Sequence, residues 1–250
     1  MSMGLGNKRT DNLFGALKVT LAVLVILTAV SALAGPQLEI INPTTNFGKV
    51  PQSKVVTTDF FIKSVGDETL KITTLWSGCG CAEIPLTDST IDPGDSLQLR
   101  ITFSTGRQLG RTVKRPTVRT NASEEVIKLS IAAEVLPTLQ DSYPVGMTPD
   151  VADISQYGEK TRRIGKFNLQ NKSAEDLRVD VVDSALKSFE VKVPDTVRAG
   201  ETIEGRLRVI DSMVDKDFQE SVTFRLEGKE TYYYTLPVVR RYRPLNSAGE

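Results

Sequence analysis

The chain has 250 residues, 40% apolar and 25% charged, a balance that supports a packed core. Its 31 basic and 31 acidic residues cancel, so it lacks the net field that nucleic-acid and anionic-lipid binders carry. It contains no histidine, which excludes Ser-His-Asp and Cys-His catalysis, histidine metal sites and histidine pH switches.

Residues 1–34 read as an export segment. Lys8, Arg9 and Lys18 precede an apolar run, Val19 to Ala34, of 16 residues. A membrane-crossing helix needs about 20, so a signal peptide cleaved between Ala34 and Gly35 is expected, with Ala32 and Ala34 as its small residues. An uncleaved anchor over residues 13–34 is the alternative, and would be the only membrane contact. Either way an extracytoplasmic location is expected, in the periplasm or at the surface of a bacterium.

From Gln37 onward the pattern has a period of two. Leu97, Leu99, Ile101 and Phe103 alternate with Gln98, Arg100 and Thr102. Ile127, Leu129, Ile131 and Ala133 repeat the alternation. Such spacing puts one set on a buried sheet face and leaves the other to water. Val55 to Ile62 and Leu70 to Leu75 are rich in strand-forming residues. Gly66-Asp67-Glu68, Asp92-Pro93-Gly94-Asp95 and Asn121-Ala122-Ser123 supply turns.

The second half repeats the first. Phe60-Phe61-Ile62-Lys63 matches Phe167-Asn168-Leu169-Gln170. Asp92 to Asp95 matches Arg198-Ala199-Gly200-Glu201, and Glu125 to Ala133 matches Glu230 to Val238. A steady offset of 105 to 107 residues is the size of one immunoglobulin-like domain. The fold expected is all-β: two tandem immunoglobulin-like antiparallel sandwiches after an export helix. The domains are placed at 37–136 and 150–242. Residues 137–149 are a proline-rich linker or edge strand, and 243–250 a flexible tail.

Three motifs carry a resemblance. Phe47-Gly48-Lys49-Val50-Pro51-Gln52, Ser77-Gly78-Cys79-Gly80-Cys81 and Ile91-Asp92-Pro93-Gly94-Asp95-Ser96 occur in order. Residues 38–135 thereby resemble a bacterial family of exported domains, the domain of unknown function 1573. The resemblance implies a sandwich related to sperm-protein and Hydin-type domains, which mostly bind partners. It implies no known activity. The second half has neither the opening motif nor the cysteines.

Cys79 and Cys81 are the only cysteines. Readings open for them are a strained Cys79–Cys81 disulfide, a reduced structural pair, a two-thiolate site for Cu(I), and thiol–disulfide exchange. Trp76 reads as a core or interdomain residue, or as a lid or partner contact. Arg111, Lys114, Arg115 and Arg119, with Arg107 before them, form a basic strand: a solvated or edge strand, with a face for an acidic partner as the alternative. Tyr232 and Tyr234 fit the core, leaving Tyr233 to meet a partner. Arg162-Arg163 and Arg240-Arg241 read as solvated charge. No acid–base pair stands out, so no enzyme activity and no cofactor beyond that copper site is expected. The functional expectation is an envelope binding or scaffolding protein with a protein partner, and thiol-based copper or redox work at Cys79 and Cys81 as the alternative.

Overall fold

The computed structural model describes residues 35–78, 82–83, 89–182 and 186–244. Residues 1–34, the expected export segment with Ala34 at its end, and Cys79 and Cys81 lie outside them. The first sandwich contains β1 (Leu38–Ile41), β2 (Thr44–Pro51), β3 (Val55–Ser64), β4 (Leu70–Trp76), β5 (Ala82–Glu83) and β6 (Thr90–Ile91). It continues with β7 (Ser96–Ser104), β8 (Gly110–Lys114), β9 (Thr117–Thr120), β10 (Ile127–Lys128) and β11 (Ser130–Leu136). The second contains β12 (Val145–Thr148), β13 (Ala152–Asp153), β14 (Gln156–Tyr157), β15 (Ile164–Asn171), β16 (Leu177–Val181) and β17 (Phe189–Lys192). It closes with β18 (Thr196–Val197), β19 (Thr202–Val209), β20 (Phe218–Glu227), β21 (Thr231–Arg240) and β22 (Tyr242–Arg243).

Each sandwich has one sheet of the same order: β1-β3-β7-β5 in the first and β12-β15-β19-β17 in the second. The opposing layer matches as well. β2 runs parallel to β11, as β13 does to β21, and β4 pairs β9 as β16 pairs β20. This is the immunoglobulin-like arrangement of two layered sheets. The repeated turns are equivalent in detail. Asp95 N–H donates to Asp92 O at 3.0 Å, with Gly94 at φ +86°, and Glu201 N–H donates to Arg198 O at 3.0 Å, with Gly200 at φ +74°. Such a turn needs positive φ at its third residue, which glycine supplies without strain.

Two cores result. Phe47, Val56, Phe60, Ile62, Leu99, Ile101 and Phe103 are buried in the first. Phe167, Leu169, Leu207, Phe224, Tyr234 and Leu236 are buried in the second. The alternation along β7 holds throughout, because its core face meets β3 in register, Phe60 against Leu99 and Val56 against Phe103. Leu139, Val145 and Met147 are fully buried in the second core, so this part of the proline-rich stretch packs as structure. Asp150 helps to hold it, accepting from Leu139 N–H at 2.6 Å and from the Thr138 hydroxyl at 3.0 Å. Arg243, the first residue assigned to the tail, pairs with Asp217 at 3.0 Å.

The copies differ at one strand. In the second sandwich β20 runs unbroken for ten residues and pairs both β16 and β21. In the first, its counterpart is cut into β8 and β9 at Arg115-Pro116, where proline has no N–H to donate. Pro116 O instead accepts from Leu129 N–H at 2.8 Å.

One expected surface charge is internal. Arg240 has no exposed surface. It stands at an even position of β21, in phase with Tyr234, Leu236 and Val238, so the pleat turns it inward. Its Nη1 donates to Ile154 O and Arg162 O, each at 2.7 Å; Nη2 donates to Gln156 Oε1 at 3.1 Å and to Val214 O. Burial lowers its pKa from the ordinary value. Arg241 conforms to expectation, since its side chain remains 46% exposed.

Candidate functional site: the interdomain junction

The two sandwiches share a sheet. β2 of the first lies beside β21 of the second, giving an eight-stranded sheet whose main path is β18-β16-β20-β21-β2-β11-β8. The strands pair in parallel at Lys49 and Tyr234. Gly48 makes the approach possible. It sits at φ +61°, and a Cβ placed on it would lie 2.0 Å from Tyr233 O. Beside it, the Thr235 hydroxyl donates to Phe47 O at 2.6 Å.

The opening motif therefore has a physical account, residue by residue. Phe47 and Val50 are fully buried in the first core. Gly48 admits β21. Lys49 donates through Nζ to Tyr143 O and lies 5.5 Å from the centre of the Tyr234 ring. Burial pushes the Lys49 ammonium below its usual pKa, with Glu134 acting in the opposite direction. Pro51 O accepts from Thr105 Oγ1 at 3.0 Å, and Gln52 Nε2 donates to Arg107 O at 2.9 Å.

A second seam joins the outer face of β3 and β7 to β20. The Ser221 hydroxyl both accepts from Thr57 N–H and donates to Thr57 O, each at 3.0 Å. Arg100 forks onto Asp59, with Nε and Nη2 each 2.9 Å from a carboxylate oxygen. Its Nη1 reaches Glu220 of the second sandwich at 2.8 Å, and Ser188 donates to the same Glu220 oxygen at 2.9 Å. The bond to Asp59 is the main cause that raises the Arg100 pKa above its ordinary value. Arg100 was expected to face water, but this face of β7 is turned to the other domain.

Replacing Arg100 by methionine strands two carboxylates whose side chains are 7% and 6% exposed. Arg100 itself retains 30% exposure, so the loss should fall below that of a fully buried pair, at about 2 kcal/mol. A double-mutant cycle of Arg100→Met with Glu220→Gln, read by urea denaturation, should show a coupling of about 1–2 kcal/mol across the junction.

Between the seams lies an open cleft of about 350 Å³. Thr57, Arg100 and Ser221 line its polar part. Ile41, Phe61, Val182 and Leu186 supply apolar surface, and Tyr233 also lines it. Ile41 and Val182 are 42% and 41% exposed. Tyr233 thus belongs to the junction, whereas Tyr234 is core and its phenol oxygen accepts from Val145 N–H at 3.2 Å.

Other residues singled out from the sequence fall elsewhere. Cys79 and Cys81 are outside the described residues. Gly78 precedes them at φ +79°, packed against the backbone of Arg115. Gly35 N–H donates to Asp67 Oδ1 at 2.6 Å. Trp76 is neither core nor interdomain, for it is 59% exposed. A bulge between Ile72 and Thr74 reverses the phase of β4, so Leu70 and Ile72 face inward but Thr74 and Trp76 face out. Among the described residues no group of three acidic or cysteine side chains gathers as a metal site, and no helix is long and apolar enough to cross a membrane.

Sequence reasoning missed Asp59, Arg100, Glu220 and Ser221. They occupy the polar register of amphipathic strands, and in one sequence that position looks the same whether it meets water or a neighbouring domain. The glycine in Phe47-Gly48 was the one available signal, since strand interiors disfavour glycine except where another backbone comes close.

Residues 38–135 match a family described as "Protein of unknown function (DUF1573)". No curated protein shows a significant match to the chain. Among solved structures, the chain is similar to a protein of unknown function from Porphyromonas gingivalis W83. The identity is 10% and the TM-score 0.36, over 83% of this chain and all of that one. It is also similar to the ASH / PapD-like domain of human CEP192, at 12% identity and TM-score 0.34, over 40% of this chain and 84% of that one. A third similarity is to the D00-D0 domain of intimin, at 13% identity and TM-score 0.29, over 82% of this chain and all of that one.

Proposed function

We propose that this chain, whose residues 38–135 form a domain of the unknown-function 1573 type, is an exported, non-catalytic envelope protein that binds and positions a protein partner. The observation that carries this reading is the junction. Two sandwiches share a sheet and are fastened by a second polar seam, which suits a part that must present surfaces at fixed separation. The cleft between them combines apolar surface from Ile41, Phe61, Val182 and Leu186 with polar side chains, the mixture that receives a segment of another protein. The export part of the proposal rests on the sequence of residues 1–34.

The test is capture by crosslinking from an envelope fraction, comparing the wild type with an Ile41→Glu, Val182→Glu variant. Both side chains are exposed, so melting should be unchanged. A partner captured by the wild type and lost by the variant is the expected result. A captured set identical for both proteins would remove the cleft from the reading, and no captured protein at all would remove the partner.

A further inference from the structure

The outer face of the first sandwich carries a second surface, separate from the cleft. Along the split strand, residues 111, 113, 115, 117 and 119 alternate outward, and Arg111, Arg115 and Arg119 are all exposed. Each lies four residues from the next, with Arg115 at the break between β8 and β9. Lys128 flanks this line, next to Thr117 across the β9–β10 pair. Trp76 flanks it on the other side, next to the same Thr117 across β4–β9. Lys114 is excluded, because it points to the opposite side with its ammonium 6.0 Å from the Phe103 ring. Among the described residues Arg111, Arg115, Arg119 and Lys128 form no ion pair. Glu134 is opposite Arg111 in the β8–β11 pair without bonding to it.

We propose that this face binds a linear acidic polysaccharide, with sugar carboxylates on the arginine line and a sugar ring against Trp76. The arginines follow one run of chain through β8 and β9, so the complementary charge is a chain and not a plane, which argues against a lipid surface. An exposed indole in register with Thr117, between Arg115 and Arg119, adds an apolar platform for the C–H face of a ring, which an acidic peptide would not use. Nucleic acid would need several stacking rings and a net positive protein; here one ring is present and the net charge is zero. The carboxylates would meet Arg115 and Arg119 through paired N–H donors, and the attraction would weaken with salt.

The experiment is affinity electrophoresis of the full exported chain in gels containing alginate, with dextran as the neutral control. Parallel binding measurements use polyglutamate, oligothymidylate and phosphatidylglycerol vesicles. Retardation by alginate and not by dextran is expected, falling at least about tenfold in Arg115→Glu, Arg119→Glu. Trp76→Ala should weaken alginate binding about fivefold and leave any polyglutamate binding unchanged. All the substituted side chains are exposed, and an unchanged melting curve verifies the fold. No retardation by alginate, or retardation unaffected by these substitutions, overturns the proposal. So does equal or tighter binding of polyglutamate, oligothymidylate or vesicles, which would assign the face to that other class. The cleft variant, Ile41→Glu with Val182→Glu, should bind alginate normally, which separates this surface from the proposed protein site.

Discussion

Gly48→Ala should part the two sandwiches. Alanine at φ +61° costs about 1 kcal/mol in backbone strain alone. The larger loss comes from contact: its Cβ would meet Tyr233 O at 2.0 Å and the Tyr233 carbonyl carbon at 2.3 Å. These are backbone atoms of β21, so no rotamer change relieves the overlap. The strands must move apart, which breaks the Thr235–Phe47 bond and the Lys49–Tyr234 pairing. A loss of about 3–4 kcal/mol is expected. Two signs would be specific to the junction. Urea denaturation should change from one transition to two, and small-angle scattering should report a larger radius of gyration. Gly94→Ala is the control. Gly94 also has positive φ, at +86°, but an added Cβ meets nothing within 4 Å. It should lose only about 1 kcal/mol and keep a single transition. If both variants behave alike, strain and not close approach explains Gly48.

Arg240→Met should destabilise the second sandwich by about 4 kcal/mol. Methionine fills much of the space but donates nothing. Ile154 O, Arg162 O, Val214 O and Gln156 Oε1 would all lose a donor in a region where the arginine has no exposed surface. Lysine should not rescue it, because a single ammonium cannot reproduce the planar fork. Arg241→Met, one residue on, should cost less than about 1 kcal/mol, since its nearest charge partner is 3.7 Å away at the surface. Denaturant melts of the three variants check the ranking. Hydrogen exchange should locate the damage at β14 and the turn around Arg162, the segments that Arg240 ties to β21. A loss spread evenly over both sandwiches would contradict this local account.

These two residues mark what the sequence could and could not convey. Strand periodicity, the repeated Pro-Gly and Ala-Gly turns and the two-fold repeat are local or nearly so, and the fold follows from them. Arg240 was legible in principle, because it continues the inward register of Tyr234, Leu236 and Val238; its charge argued the other way and prevailed wrongly. Trp76 failed for the opposite reason. One extra residue in β4 reversed the phase, and a bulge leaves no mark in composition. Arg100 and Glu220 lie 120 residues apart, and nothing local records which polar strand face meets which. Cys79 and Cys81, the chemistry most visible in the sequence, lie outside the described residues.

The parallel run of β2 beside β21 also bears on tension. β2 follows β1 and is entered from its Thr44 end, whereas β21 is left at Arg240. A pull applied between Thr44 and Arg240 therefore slides these strands along each other instead of peeling them apart. In that geometry the junction's contacts are loaded together, and a protein held at one end can transmit a load to whatever is fixed at the other.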